Sequence, residues 1–192
     1  MQIPPHNPEL IAKRAIELFG GPEAFFAAAD KEREEINTRW NQNVSTIGRI
    51  LRAHLFVEHY LTQYLAKANP RLGSMTEARV SFAQKVSLLD TSESDIAAIL
   101  PGIKRLNAIR NRLAHNLSAQ VTQEDAKVLL QSERFAALRA ARAPKQVAST
   151  DPLDVLDDFA LHTSMVFTYE FSPVSQAIAK AIDEVHFGRE AT

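Results

Sequence analysis

The sequence predicts an all-α fold, a helical bundle with an N-terminal helical hairpin and a C-terminal helical extension. Three observations carry that prediction. Only six glycines occur in 192 residues. No run alternates apolar and polar residues as a half-buried strand does. Apolar residues recur instead at helical spacing, between caps and breakers.

The elements follow in order. Asn7-Pro8-Glu9 is a helix start, with a cap, a proline at the first helical position and an acid. The helix it opens ends at Gly20-Gly21. Pro22-Glu23 opens a second, which runs through the charged stretch from Asp30 to Glu35 towards Trp40. A long helix is expected from Val44 to Ala68, with Val44, Ile47, Leu51, Leu55, Thr62 and Leu65 as its stripe. Asn69-Pro70-Arg71-Leu72-Gly73 stops it. A shorter amphipathic helix follows from Thr76 to Leu89. Asp90-Thr91-Ser92-Glu93-Ser94 is a turn in which Ser92 or Ser94 can cap the next helix. Pro101-Gly102 starts or reshapes a helix carrying Ile103, Leu106, Ile109, Leu113 and Leu117. Thr122 caps a helix from Gln123 to Ala141. The last segment is helical from Pro152 to Phe187, with a break at Pro173. The chain divides into a hairpin over 1–42, a bundle over 43–142, a Pro-containing linker over 143–152 and an extension over 153–192. That extension is expected to pack on the bundle or on a second copy.

Composition narrows the function. There is no cysteine, which excludes disulfides, thiolate metal sites and a Cys nucleophile. Met1–His6 has no basic region followed by an apolar run, so no secretory signal is expected. No stretch approaches the roughly 20 apolar residues that span a bilayer. The expectation is a cytoplasmic protein without membrane association. Net charge is −1, without the basic excess of a broad nucleic-acid binder. The charge is uneven, however. No Asp or Glu lies between Ile96 and Gln123, whereas Lys104, Arg105, Arg110 and Arg112 do. This segment is either a solvated helix face or a small positive patch that meets phosphate.

Two polar residues interrupt apolar stripes. At about 100° per residue, Glu58 falls among Leu51, Leu55, Thr62 and Leu65. A lone buried carboxylate is costly, so Glu58 must be paired, protonated or in a wet cleft. Arg110 lies about 40° from Leu106 on the later helix and points into its stripe. The pattern predicts that Glu58 and Arg110 meet between the helices. They do so either as a structural pair that fixes register or with Glu58 aiming a catalytic Arg110.

Arg110-Asn111-Arg112-Leu113-Ala114-His115 resembles the Arg-x4–6-His signature of the HEPN superfamily, with Arg110 and His115 in the named positions and a polar Asn111 after the Arg. The helix Leu55-Phe56-Val57-Glu58-His59-Tyr60-Leu61 and the lead-in Leu106-Asn107-Ala108-Ile109 resemble helices that flank the motif in that family. The resemblance covers roughly residues 44 to 120. It implies a dimer of helical bundles whose two motif copies form one composite site. It also implies metal-independent RNA cleavage by the ribose 2′-hydroxyl, and a role as a toxin or antiviral-defence effector, paired with an antitoxin or another defence-system protein. Some members have lost activity and serve as interaction or regulatory modules, which is the alternative here.

The residue types suit this chemistry. His115 can take or give a proton near neutral pH. Arg110 offers a planar, permanently charged fork to a phosphate. Asn111 shares a face with His115 and can orient it. Arg112 is a second phosphate contact on the same wheel, and Lys104 and Arg105 extend the RNA-binding surface. Glu58 supports Arg110. Arg110 and His115 lie about 140° apart on an ideal helix. Either the helix is distorted between them, or the site combines residues of two protomers.

Other constellations carry less. His54 and Glu58, at i and i+4, mimic half a metal site, but no third ligand is evident and neither metal nor cofactor is expected. His162, near Phe159 and Val166, reads as a satisfied core or interface residue. Trp40, Tyr60, Tyr64 and Tyr169 can stack on bases or pack in the core.

Overall fold

The computed structural model describes residues 7–41, 43–71, 78–116, 118–142, 147–169 and 171–187. Leu117, the Leu72-Gly73 stop, the start at Thr76, the N-terminal reading over 1–6 and linker residues 143–146 lie outside them. All regular structure among the described residues is helical, in nine helices. They fall into two compact units, Met1–Asn43 and Val44–Thr192.

The first unit is a pair of helices, α1 (Pro8–Phe19) and α2 (Pro22–Trp40). The Asn7 side chain accepts from the amides of Glu9 and Leu10, at 3.2 and 3.3 Å, and so caps α1. Gly20 and Gly21 take φ of 102° and 111°, conformations that glycine alone adopts cheaply. Their amides close on Glu17 and Ile16 and end the helix. Phe19 meets Phe25 edge to face across the turn. No side chain of either helix is fully buried within the unit.

The second unit contains α3 (Val44–Ala68), α4 (Phe82–Ser87), α5 (Ser94–His115), α6 (Gln123–Leu129), α7 (Glu133–Ala141), α8 (Pro152–Tyr169) and α9 (Pro173–Phe187). Its spine is α3 against α8. The two run parallel, since Arg49 bonds Asp154 and Asp157 at one end while Tyr64 stacks on Phe167 at the other. Helix α5 runs antiparallel to α3, with His54 beside Asn107 and Tyr64 donating to Glu93. Ile50, Leu61 and Leu65 of α3, Ile99, Ile103 and Leu106 of α5, and Leu156 and Phe159 of α8 are all sealed from water. Each such side chain contributes roughly 1.5–3 kcal/mol relative to exposure.

Several boundaries differ from expectation for physical reasons. The core face of α3 is Ile50, Ala53, His54, Val57, Leu61, Tyr64 and Leu65, whereas Leu51 and Leu55 are exposed, Leu55 by 63%. The helix has two apolar rows, about 100° apart, and α5 and α8 cover the other one. Ser81 caps α4 in a reciprocal capping box with Gln84, so the helix starts there. Pro101-Gly102 lies inside α5 rather than at its start. Pro101 lacks the amide that would bond Ala97, but both residues are exposed and water can take the freed carbonyl. The segment from Gln123 to Ala141 is two helices, because Ser132 caps α7 by accepting from the Phe135 amide. Helix α8, beyond the 143–152 segment, is a wall of the core through Val155, Leu156, Phe159, Ala160 and Phe167.

Helices α5 and α8 cross at Gly102. A β-carbon there would stand 2.2 Å from the Phe159 ring. Gly102→Ala gains about 1 kcal/mol of helix propensity but must displace a packed ring. It is expected to lower stability in urea by about 1–3 kcal/mol. A variant as stable as the parent would rule out this close approach.

Candidate functional site

The last two turns of α5 hold the motif. The helix is α-helical through His115 and ends at Asn116, whose extended backbone leads the chain away. The Asn116 carboxamide accepts from the Ser118 amide at 3.0 Å and hydroxyl at 2.6 Å, which fixes that turn. Arg110, Asn111 and His115 are all exposed. The Arg110 guanidinium donates to the Asn111 side chain at 3.4 Å and pairs with no carboxylate among the described residues.

Glu58 does not meet Arg110. Its carboxylate accepts from Lys85 of α4 at 2.7 Å, with the His54 ring 4.0 Å away. The wheel does turn Arg110 towards the side that carries Asn107. Helix α4, however, shares a groove with Leu100, Lys104 and Asn107, and Arg110, which is not among the residues that line it, is exposed. Lys85 was the missed partner. It sits between Phe82, Val86 and Leu89 as a lone base in an apolar row, the same kind of anomaly that marked Glu58. No group of three or more potential metal ligands forms among the described residues.

Around this ion pair lies a small buried cluster. His54 is 6% exposed, rests on the Phe82 ring and places Nε2 3.4 Å from the Asn107 carboxamide. Burial pushes its pKa below the usual histidine value; the Asn107 bond and Glu58 oppose this, and the charges of Arg110 and Lys85 reinforce it. The ring is thus held neutral, and it joins α3, α4 and α5 as a structural element.

Two further candidates change role. Arg112 donates through both terminal nitrogens to Asp125 and through one of them to the Gln120 carbonyl. Arg105 stands 3.4 Å from the same carboxylate. Asp125 is 1% exposed and also forms the capping box of α6 with Thr122. Burial alone would raise the Asp125 carboxyl, but the bonds from Arg112 and Thr122 outweigh it and hold the group below the ordinary carboxylate range. Arg105 and Arg112 therefore tie α5 to α6, their charges partly offset by that one carboxylate. Sequence reading missed this because Asp125 looks like an ordinary first-turn acid.

The structure thus brings Arg110 and Asn111 together, leaves His115 exposed on the face it shares with Asn111 and turned from Arg110, and places Lys104 at the rim of an apolar groove between α4 and α5. Because α5 is regular across the motif, Arg110 and His115 diverge by about 140° and cannot grip one phosphate from a single chain. The distortion considered from sequence does not occur.

Removing one partner of a buried pair costs about 3–5 kcal/mol, so Asp125→Ala is expected to lose that much in urea denaturation, and Arg112→Ala about 3 kcal/mol. Arg110→Ala should stay within about 0.5 kcal/mol of the parent. The Asp125 contribution also has a pH signature. A carboxyl held low in the folded state stabilises fully above its unfolded pKa and loses that effect as pH falls below about 4. Asp125→Asn should flatten this acid limb; an unchanged limb would refute the assignment. Comparison with family models, curated proteins and solved structures returned no match, so the reading of this site rests on its own residues.

Proposed function

We propose that the chain is a metal-independent endoribonuclease of the HEPN type, a toxin or antiviral-defence effector that acts as a homodimer in the cytoplasm. One observation carries this reading. The basic residues of α5 sort into two sets: Arg105 and Arg112 share the one buried carboxylate of Asp125, while Lys104 and Arg110 have no carboxylate partner among the described residues, and Arg110 stands in water beside Asn111. Surface cations with only a fold-stabilising role have no need for that segregation, whereas a phosphate site does.

In this mechanism a His115 imidazole takes the ribose 2′ proton as the 2′-oxygen bonds to phosphorus. The bond from phosphorus to the 5′-oxygen breaks, and that oxygen receives a proton from the imidazolium so formed, leaving a 2′,3′-cyclic phosphate. Arg110 holds the non-bridging oxygens as charge builds, and Asn111 braces the guanidinium. His115 of one copy and Arg110 of the other supply the site together. Exposed Leu51 and Leu55 lie at the Arg110 end of the antiparallel α3–α5 pair and offer apolar area to that second copy. An antitoxin or other defence-system protein would restrain the activity.

A second reading, a non-catalytic interaction module with a degenerate site, draws on α9. Val174, Ile178, Ile182 and Val185 form an exposed apolar row there, suited to a helical partner. No described helix is long and apolar enough to cross a membrane, so that row does not mark a span.

Incubation of the full chain with mixed RNA in EDTA separates the two. Cleavage with cyclic phosphate ends is expected, falling by about 10²–10⁴-fold in His115→Ala and Arg110→Ala without loss of helicity. A folded protein that cuts no RNA at any concentration would transfer the assignment to the interaction module.

A further inference from the structure

Neither helix of the first unit, Met1–Asn43, buries a side chain. In α2, Phe26, Ile36 and Trp40 are 56%, 66% and 84% exposed. A helical pair of about 40 residues rarely holds on its own without a disulfide, a metal or an oligomeric partner. The chain has no cysteine, and no group of three potential metal ligands forms among the described residues. The unit is therefore built to pack on another surface, and the pattern of α2 indicates which one.

Helix α2 carries a seam. Pro22, Phe26, Ala29, Arg33, Ile36 and Trp40 follow one another at steps of 4, 3, 4, 3 and 4 residues, and all six are exposed. This is the a/d spacing of a helix that packs lengthwise on another. Phe25, about 100° round the helix from Phe26, turns instead to α1 and meets Phe19 edge to face. The seam is thus left open beside the α1 contact. Its steps read the same from either end. Two antiparallel copies related by a two-fold axis at the level of Lys31 therefore match in every layer: Pro22 with Trp40, Phe26 with Ile36, and Ala29 with Arg33.

Charge agrees with this register. At the middle of the seam Arg33 pairs with Asp30 at 2.6 Å. The axis sets that pair beside its own copy, so two guanidinium groups and two carboxylates gather with no net charge. The small Ala29 opposite leaves room for the arginine stem. A parallel pair would set Arg33 against Arg33, and a polar residue at one such position is a known means of fixing register. We propose that α2 is a self-association surface whose partner is α2 of a second copy, in an antiparallel pair. The proposal does not rest on the ribonuclease reading and uses a different surface from Leu51 and Leu55 of α3.

The absence of cysteine permits a disulfide test on the full chain. Phe26→Cys and Ile36→Cys variants are oxidised separately and as an equal mixture. Ten residues of helix separate the two positions by about 15 Å, beyond the roughly 7 Å that a disulfide spans between α-carbons. Position 26 of one copy lies opposite position 36 of the other, so the mixture is expected to yield a linked dimer, and each variant alone at least tenfold less. Both substitutions replace exposed side chains and should keep the parent's helicity by circular dichroism. Asp30→Arg, added to both variants, gathers four guanidinium groups at the axis and should cut the yield at least fivefold; Arg33→Asp added to that background should restore it. Leu55→Lys should leave the cross-link intact, which separates this surface from the α3 contact of the ribonuclease reading. The parent chain should sediment as a dimer or larger species at tens of micromolar. A monomer at that concentration, linkage of either variant to itself as strong as in the mixture, no linkage at all, or a yield indifferent to Asp30→Arg would each overturn the proposal.

Discussion

The buried carboxylate of Asp125 governs the motif end of the molecule. It is almost wholly removed from water, so it must be matched by cations. It draws Arg112 and Arg105 from α5 and accepts from the Thr122 amide, while the Thr122 hydroxyl accepts from the Asp125 amide. This arrangement has three consequences. It docks α6 onto α5. It holds the stretch after His115 through the Gln120 carbonyl. It also decides which arginines of the basic segment are committed, leaving Arg110 as the arginine without a carboxylate partner among the described residues. The cation pattern on which a phosphate reading rests is thus set by one acid that lies outside the motif.

A parallel economy operates on the other side of α5. Glu58 and Lys85 neutralise each other, and neutral His54 bridges from Phe82 to Asn107. Together they seat the six-residue helix α4, which is too short to hold itself by backbone bonds alone. Asn107 thus belongs to this cluster, whereas Arg110, one turn further on, is exposed.

How much of this was legible in the sequence depends on whether the signal was local. The caps at Asn7 and Thr122, the glycine break at Gly20-Gly21 and the proline break at Pro173 are local, and each was readable from adjacent residues. The split at Ser132 was also local, a cap followed by Glu133, but no glycine or proline breaks 123–141 and the segment reads as one helix. The core face of α3 was not local. The helix carries two apolar rows, and only the positions of α5 and α8 choose between them. The partners of Glu58 and Arg112 were tertiary in the same sense. Periodicity marked Glu58 as a residue that must be paired, but not that Lys85 would reach it first. For Asp125 even that mark was absent, since an acid in a first turn is the commonest kind of exposed residue. The motif residues themselves were visible, while their division into committed and uncommitted cations was not.

The regularity of α5 bears hardest on mechanism. A helix without a bulge or kink between residues 110 and 115 separates the two side chains by well over a right angle. Proton transfer needs an approach of about 3 Å, and a phosphate cannot bridge opposite sides of a helix roughly 10 Å across. One chain therefore has either an arginine without its base or a base without its arginine. On the proposed reading this is a control built into the geometry: the halves are inert apart and meet only when two copies join. The apolar Leu51 and Leu55 then have a specific task, because an interface around two facing arginines must overcome their mutual repulsion. Bound RNA phosphate would relieve that repulsion, which links substrate binding to assembly by mass action.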